Sequence, residues 1–442
     1  MKKYESYKDS GVEWLGEIPM DWKVTKLKFI GDAIGGLTYA PNNVVENADE
    51  GVLVLRSSNI QNGKLSLKDN VFVNLEISDK LTLKKGDILI CSRNGSQHLI
   101  GKNICIDERT EGSTFGAFMM IFRSKYYGFL NQYFNSPIFT SQSGLFLTAT
   151  INQLTSGTLN NFYIAIPESI EEQTQIANFL DHKTTQINTL ISKKEQCISL
   201  LQEERIAIIN QAVTKGLDPK VKMKDSGIEW LGEIPDHWKI TRLNQIIKVK
   251  DGTHESPLQI SKSETTFPLI TSKDFKNGEI NFENAKYISK EDHKNIIKRS
   301  NTEKGDIIMS MIGGNIGNLV YIQTDREFSI KNVCLFKTSF NTIYAKHLYY
   351  ILKSPLLKIQ IDLCSRGGAQ GFLSLGDLRS LVYFVLPEKE IKSIVLHIEN
   401  KEIRIEQLIS KTQQEIELLK EYKTALISEV VTGKVDVRDL VN

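Results

Sequence analysis

Three observations predict an α/β (α+β) protein in which two mixed α/β domains alternate with two long helices, the helices pairing as an antiparallel coiled coil about an approximate two-fold axis. First, "KDSGVEWLGEIPMDWKVTKL" from Lys8 to Leu27 returns as "KDSGIEWLGEIPDHWKITRL" from Lys224 to Leu243, identical at 15 of 20 positions. The period of 216 residues far exceeds the roughly 20 to 50 residues of a solenoid or propeller repeat, so the repeated object is a domain. Second, an uninterrupted helical pattern follows the body of each copy. Third, the bodies are rich in short β-like runs closed by Asn-Gly and Lys-Gly-Asp turns.

In chain order the divisions are 1–166, a mixed domain with its opening segment; 167–218, a long helix; 219–386, the second mixed domain; and 387–442, the second long helix. In the opening segments Trp14, Leu15, Ile18 and Trp22, like Trp230, Leu231, Ile234 and Trp238, are expected to anchor on their domain by burying aromatic and aliphatic surface. The strand runs are "GVLVLRSSNI", "KKGDILICS" and "GKNICIDE" in one copy and "FPLITSKDF", "EKGDIIMSM" and "GNLVYIQ" in the other. Outside a few turns these bodies share little identity.

The first helix opens with Ser169 three residues before Glu172, a capping-box pattern, and closes at Lys215-Gly216 before Pro219. About 46 residues at 1.5 Å each make roughly 69 Å, longer than a small domain is wide. The second runs from about Glu388 to Thr432, stops at Gly433, and aligns with the first without a gap from Ile187 and Ile405 onward. Apolar residues recur at spacings of 4 and 3: Ile187, Ile191, Ile198, Leu201 and Ile208 in the first rod, and Ile405, Ile409, Ile416, Leu419 and Leu426 in the second. That heptad seam is polar at Lys194, Arg205, Thr412 and Lys423, the kind of interruption that fixes register and partner.

With 40% hydrophobic and 24% charged residues, the composition is that of an ordinary globular chain. No apolar run approaches the roughly 18 residues of a membrane span, and no apolar stretch follows Met1-Lys2-Lys3, so a cytoplasmic location is expected. Five cysteines are scattered without a Cys-x-x-Cys pair, which argues against a disulfide framework or a zinc site, and no metal is expected. Net charge is only +2, but residues 219–386 hold 24 basic against 18 acidic groups while 1–166 hold 17 against 16. The excess suits a phosphate-facing surface.

Polar, glycine-bearing loops follow matching strands: "SRNGSQH" and "MIGGNIG", then "TATINQLTSG" and "CSRGGAQG". Their residue types read base edges or hold phosphates, and glycine admits close backbone approach. The candidate contacts in the first copy are Arg56, Ser57 and Asn59; Arg93, Asn94, Ser96, Gln97 and His98; and Asn152, Gln153 and Thr155. In the second copy they are Thr253 and His254, Ser272 and Lys273, Asn315, and Arg366 and Gln370.

The phrase "SGVEWLGEIP" with its following Trp, "KKGDIL" with "IGK" after it, and "IAIPESIEEQTQIANFLDHKTTQINTLISKKEQCISLLQEERIAIINQAVTKG" together resemble the specificity subunit of type I restriction-modification systems, over essentially the whole chain. The second copy lacks the Glu-Glu-Gln but keeps "LP", "QLISK" and "VVTGK". The resemblance implies two target-recognition domains, each binding one half of a split double-stranded DNA target. It further implies a helix pair that holds the halves apart and docks two DNA methyltransferase subunits, joined by translocating restriction subunits. The chain itself would be non-catalytic and bind no cofactor, S-adenosylmethionine, ATP and magnesium being used by the partner subunits. The alternatives are a coiled-coil adaptor or a stand-alone DNA-modifying enzyme. The adaptor has no need of two diverged domains. The enzyme lacks its motifs, since no proline is followed by another and no G-x-x-x-x-G-K-[ST] run exists. Asp-x-Lys at Asp181 and Asp292 has no companion motif of a nuclease.

Overall fold

The computed structural model describes residues 2–61, 63–146, 153–364 and 372–440. The chain forms two compact units, Met1–Glu195 with Gln413–Asn442, and Gln196–Thr412. Both boundaries fall inside the long helices, Ile170–Lys215 and Glu388–Val431. Each unit therefore combines one mixed α/β body with the start of one long helix and the end of the other.

In the first unit, strand Tyr7–Asp9 pairs antiparallel with Glu17–Pro19, and Trp22–Lys26 pairs antiparallel with Tyr163–Pro167 just ahead of the long helix. The body has two sheets. One is antiparallel in the order Asn103–Cys105, Ile88–Cys91, Met119–Arg123, Asp32–Gly35. The other runs Thr114–Phe115, Val52–Leu55, Phe72–Val73, Val44–Val45, its first pair parallel. Alternating apolar residues close the space between them, with Leu55, Leu89, Phe115 and Ile121 fully buried, each contributing about 1.5–3 kcal/mol of burial.

The second unit repeats this order. Its antiparallel sheet runs Lys248–Asp251, Val333–Lys337, Ile307–Ser310, Leu319–Tyr321, and its second sheet Lys286–Ile288, Phe267–Ile270, Ser329–Ile330. Here too the outer pair, Phe267–Ile270 with Ser329–Ile330, is parallel. The strand-forming runs read from the sequence thus occupy equivalent ladders in both copies. Asn277 and Gly278 both take positive φ, closing the hairpin Phe275–Lys276 with Glu279–Ile280. The second unit adds helix Lys290–Ser300, with Ser289 as its N-cap.

The opening segments are anchored alike. Trp22 and Trp238 are fully buried, and each indole donates to a glutamate in the first turn of a long helix: Trp22 to Glu172 and Trp238 to Glu390, both at 3.0 Å. These glutamates share the offset that relates Ile187 to Ile405, so the helices correspond from their first turns although the second lacks Glu-Glu-Gln. Glu172 does not complete the expected capping box. Ser169 Oγ accepts from its backbone N–H at 3.4 Å, while its carboxylate turns to Tyr4 and Trp22. Leu15, Ile18, Leu231 and Ile234 are buried, but Trp14 is exposed and Trp230 half-buried. Both tryptophans sit in the hairpin turn, where the leucine that follows them points inward instead.

Within each unit the helix segments run antiparallel. In the first, Lys194 meets Glu415 at 2.5 Å and Lys423 donates to Asn188 at 3.0 Å. In the second, Arg205 meets Glu406 at 3.6 Å. Three of the four polar seam residues are thus cross-helix contacts; the fourth, Thr412, donates to the Leu408 carbonyl of its own helix. Ile187, Ile191, Ile405, Ile416 and Leu426 are buried, and Ile198, Leu201, Ile208, Ile409 and Leu419 half-buried. Each helix ends at a glycine of positive φ, Gly216 or Gly433, where the chain turns out of the helix. Gly216 lies beside Trp238, and Gly433 against Pro19 and Trp22.

Among the described residues no helix is long and apolar enough to cross a membrane, and no group of His, Cys, Asp or Glu is arranged to hold a metal. Asp181 accepts from Gln132 and Asp292 from Ser289, so both serve local structure. Cys91, Cys105, Cys197 and Cys334 are in no disulfide. Burial pushes the Cys105 thiol up to about 11 and Cys334 well above its ordinary value.

Candidate nucleic-acid interface

The first unit carries a concavity of about 1000 Å³ lined by five separate stretches of chain: Leu37 to Tyr39, Arg56 to Ser58, Arg93 to Gly95, Gly116 to Met119, and Gln153. Each is placed by the sheets. Arg56 to Ser58 sit in a short 3-10 turn after strand Val52–Leu55, closed by the Asn59 side chain accepting from Arg56 N–H at 2.9 Å. Arg93 follows core strand Ile88–Cys91 and forms an isolated antiparallel bridge with Gln153. Beside the cavity the backbone of Gly36 passes so close to Gly116 that a Cβ would strike its carbonyl.

The second unit has a smaller concavity of about 320 Å³ at the corresponding place. Its 3-10 turn, Ser272–Asp274, is closed by Asp274 accepting from Thr271 N–H at 2.7 Å, and Gly252 packs on Ile330 as Gly36 packs on Gly116. Ile312 follows core strand Ile307–Ser310 and forms the isolated antiparallel bridge with Phe372. Ser272, Lys273, Lys286, Ile312, Lys331 and Asn332 contribute to the lining.

Of the residues singled out in the sequence, Arg56, Ser57, Arg93, Asn94 and Gln153 come together in the first cavity, and Ser272 and Lys273 in the second. Arg56 is held by Asp69 at 2.9 Å, and Asn94 donates to Ser57 Oγ at 3.1 Å. Asn59 does not face the cavity: it is fully buried, its amide spent on the Ser66 and Asp69 carbonyls. Ser96 and His98 contact one another on the exposed 3-10 turn that includes Gln97, and Thr155 caps helix Ser156–Asn160. Thr253 is half-buried beside Lys331, while His254 spans Asp251 at 2.9 Å and Asn332 at 3.1 Å. Asn315 is exposed at the end of a 3-10 turn. Asn152, Arg366 and Gln370 lie outside the described residues.

Sequence reasoning missed Phe118, Tyr39, Lys331 and Asn332. Phe118 and Asn332 both precede the strand that pairs with the core strand, so aligning "GAFMM" with "IKNVC" on the strand register would have found them. Electrostatics differ as well. Burial opposes ionisation of Asp251, but hydrogen bonds from His254 and Arg299 overcome it and hold the carboxyl below the usual carboxylate range.

Comparison with known proteins bears on this arrangement. Residues 19–199 match the family described as the type I restriction modification DNA specificity domain. The type I restriction enzyme EcoKI specificity subunit of Escherichia coli (strain K12) is 24% identical over 402 residues, covering 87% of this chain and 82% of that protein. The putative type I restriction enzyme MjaX specificity subunit of Methanocaldococcus jannaschii is 25% identical over 460 residues, covering 99% and 98%. The fold matches a chain from a structural study of complex assembly and conformational transition in the type I R-M system, at a TM-score of 0.71 and 13% identity, over 95% of this chain and 99% of that one. The HsdS subunit from Thermoanaerobacter tengcongensis matches at 0.54 and 14% identity, over 95% and 98%. Fold and cavities define a duplicated α/β protein with a cavity at the corresponding place in each copy, built on two long helices. Residues 19–199 thus match the type I DNA specificity domain, and over most of its length the chain is similar to specificity subunits of type I restriction enzymes.

Proposed function

We propose that this chain is the DNA-reading subunit of a type I restriction-modification complex, each unit reading one half of a bipartite, asymmetric double-stranded target through its cavity. The observation that carries this reading is one cavity built twice on the same strand register, with a cationic lining in both copies but different side chains at the bridge position. Base edges in the major groove are read by side chains, and phosphates by Arg, Lys and turn N–H groups, which matches the lining. The long helices serve as the frame on which two methyltransferase subunits dock, with restriction subunits joining them. On this reading the chain works in the cytoplasm, performs no catalysis and binds no cofactor; S-adenosylmethionine, ATP and magnesium belong to the partners.

Methylation mapping with the assembled complex tests this. The expected motif has two different short halves separated by unread spacer, and the purified chain alone neither methylates nor cleaves. A palindromic motif removes the two-reader assignment, and methyl transfer by the chain alone removes the non-catalytic one.

A further inference from the structure

The two cavities share a backbone but not a chemistry. The bridge that clamps the loop after the core strand joins Arg93 to Gln153 in one unit and Ile312 to Phe372 in the other. At the adjoining position Phe118 stands in the first unit and Asn332 in the second.

Arg93 is exposed, and its guanidinium lies 5.5 Å from the centre of the Phe118 ring. Phe118 is itself 60% exposed, a large apolar ring held in solvent at the rim of a cavity. Among the described residues no carboxylate lies within ion-pair distance of Arg93, whereas Arg56 is engaged by Asp69. The fork of donors on Arg93 thus lines the cavity with no carboxylate to engage it among the described residues, and the aromatic platform limits its freedom. Ile312 and Phe372 offer no donor, and Phe372 is 57% exposed. Around them Lys273, Lys286 and Lys331 supply positive charge without a planar fork.

We infer that the first unit reads a guanine through Arg93 oriented by Phe118, and that the second reads a thymine through apolar contact of Ile312 and Phe372 with its methyl group. Guanine presents two acceptors, O6 and N7, that match a guanidinium fork, and the thymine methyl is the apolar feature of the major groove. The lysines of the second cavity then hold phosphates and carry no sequence information. This rests on the DNA-reading function proposed above.

The test is selection from a randomised duplex library by the full-length chain with its methyltransferase subunit, repeated with variants whose thermal melting matches the unaltered chain. The unaltered complex should enrich a fixed guanine in one half and a fixed thymine in the other. Arg93→Ala should relax that guanine alone, lowering discrimination there roughly 5- to 150-fold. Arg93→Lys, which keeps the charge but loses the fork, should relax the same position. Phe118→Leu should relax it partially, and the double variant Ile312→Ala/Phe372→Ala should relax only the thymine. A uniform loss of affinity for all duplexes with Arg93→Ala, or relaxation at a base other than guanine, overturns the inference while leaving DNA reading intact. Absence of any enrichment by the unaltered complex overturns both.

Discussion

Trp22 with Glu172 and Trp238 with Glu390 are the same contact in two units, atom for atom and at the same distance, whereas Arg93 with Gln153 and Ile312 with Phe372 are the same backbone bridge with opposite side-chain chemistry. The first pair holds a body to its helix, and its geometry admits few substitutes for an indole donor and a carboxylate. The second pair needs only two extended residues to exchange backbone bonds, leaving the side chains free to differ. A molecule that must vary what it reads without varying its frame places variation where the backbone does the holding. The units also differ inside. His347 in the second stands seven residues before buried Ser354, which precedes the helix starting at Pro355, where Phe129 stands before Ser136-Pro137 in the first.

The largest effect expected from breaking the shared frame is at the tryptophans. Trp22→Ala and Trp238→Ala should each cost about 3–5 kcal/mol, read by denaturant unfolding. Similar losses are expected from both, and tolerance of either one would show that the two anchors are not equivalent.

The internal difference should appear in acid. Burial lowers the His347 pKa from 6.5 to about 3. The folded unit keeps this histidine neutral, while the unfolded chain takes up the proton below pH 6.5. The resulting stability is therefore complete above pH 6.5 and is lost as pH falls toward 3, with a slope of at most about 1.4 kcal/mol per pH unit. His347→Phe, the residue of the equivalent position, should flatten melting temperature against pH in that window; an unchanged slope would assign it elsewhere.

The smallest effect belongs to the rods. Lys194 and Glu415 are partly exposed, so Lys194→Met should change stability by no more than about 0.5 kcal/mol and lose its salt dependence. A much larger loss would mean that this pair, and not the apolar seam, holds the helix segments together.

The duplication, the rods and their seam were legible because identity and heptad spacing are properties of the chain itself. The partners of the seam cations were not, since Glu415, Glu406 and Asn188 lie off the seam and become neighbours only through the antiparallel register. In the cavities, Arg93 and Gln153 were found because glycine and polar residues mark loops. Phe118 and Lys331 were missed because they look like ordinary pre-strand residues until the sheets bring them to the rim. Asn59 looked like a reader and is a buried turn support, a distinction that burial makes and residue type does not.

The division of the chain also sets an order of assembly. The second unit is continuous, Gln196–Thr412, whereas the first draws on Gln413 onward. Gly433 packs on Trp22, Lys434 donates to the Leu15 carbonyl at 3.2 Å, and Asp436 N–H donates to the Lys2 carbonyl at 2.9 Å. On the ribosome the body that is made first must therefore wait, its helix seam and the floor beneath Trp22 uncovered, until the other unit has emerged. At about 5–20 residues per second, the more than two hundred intervening residues leave it incomplete for roughly 10 to 45 seconds. The half of the molecule made later is thus the first able to finish folding.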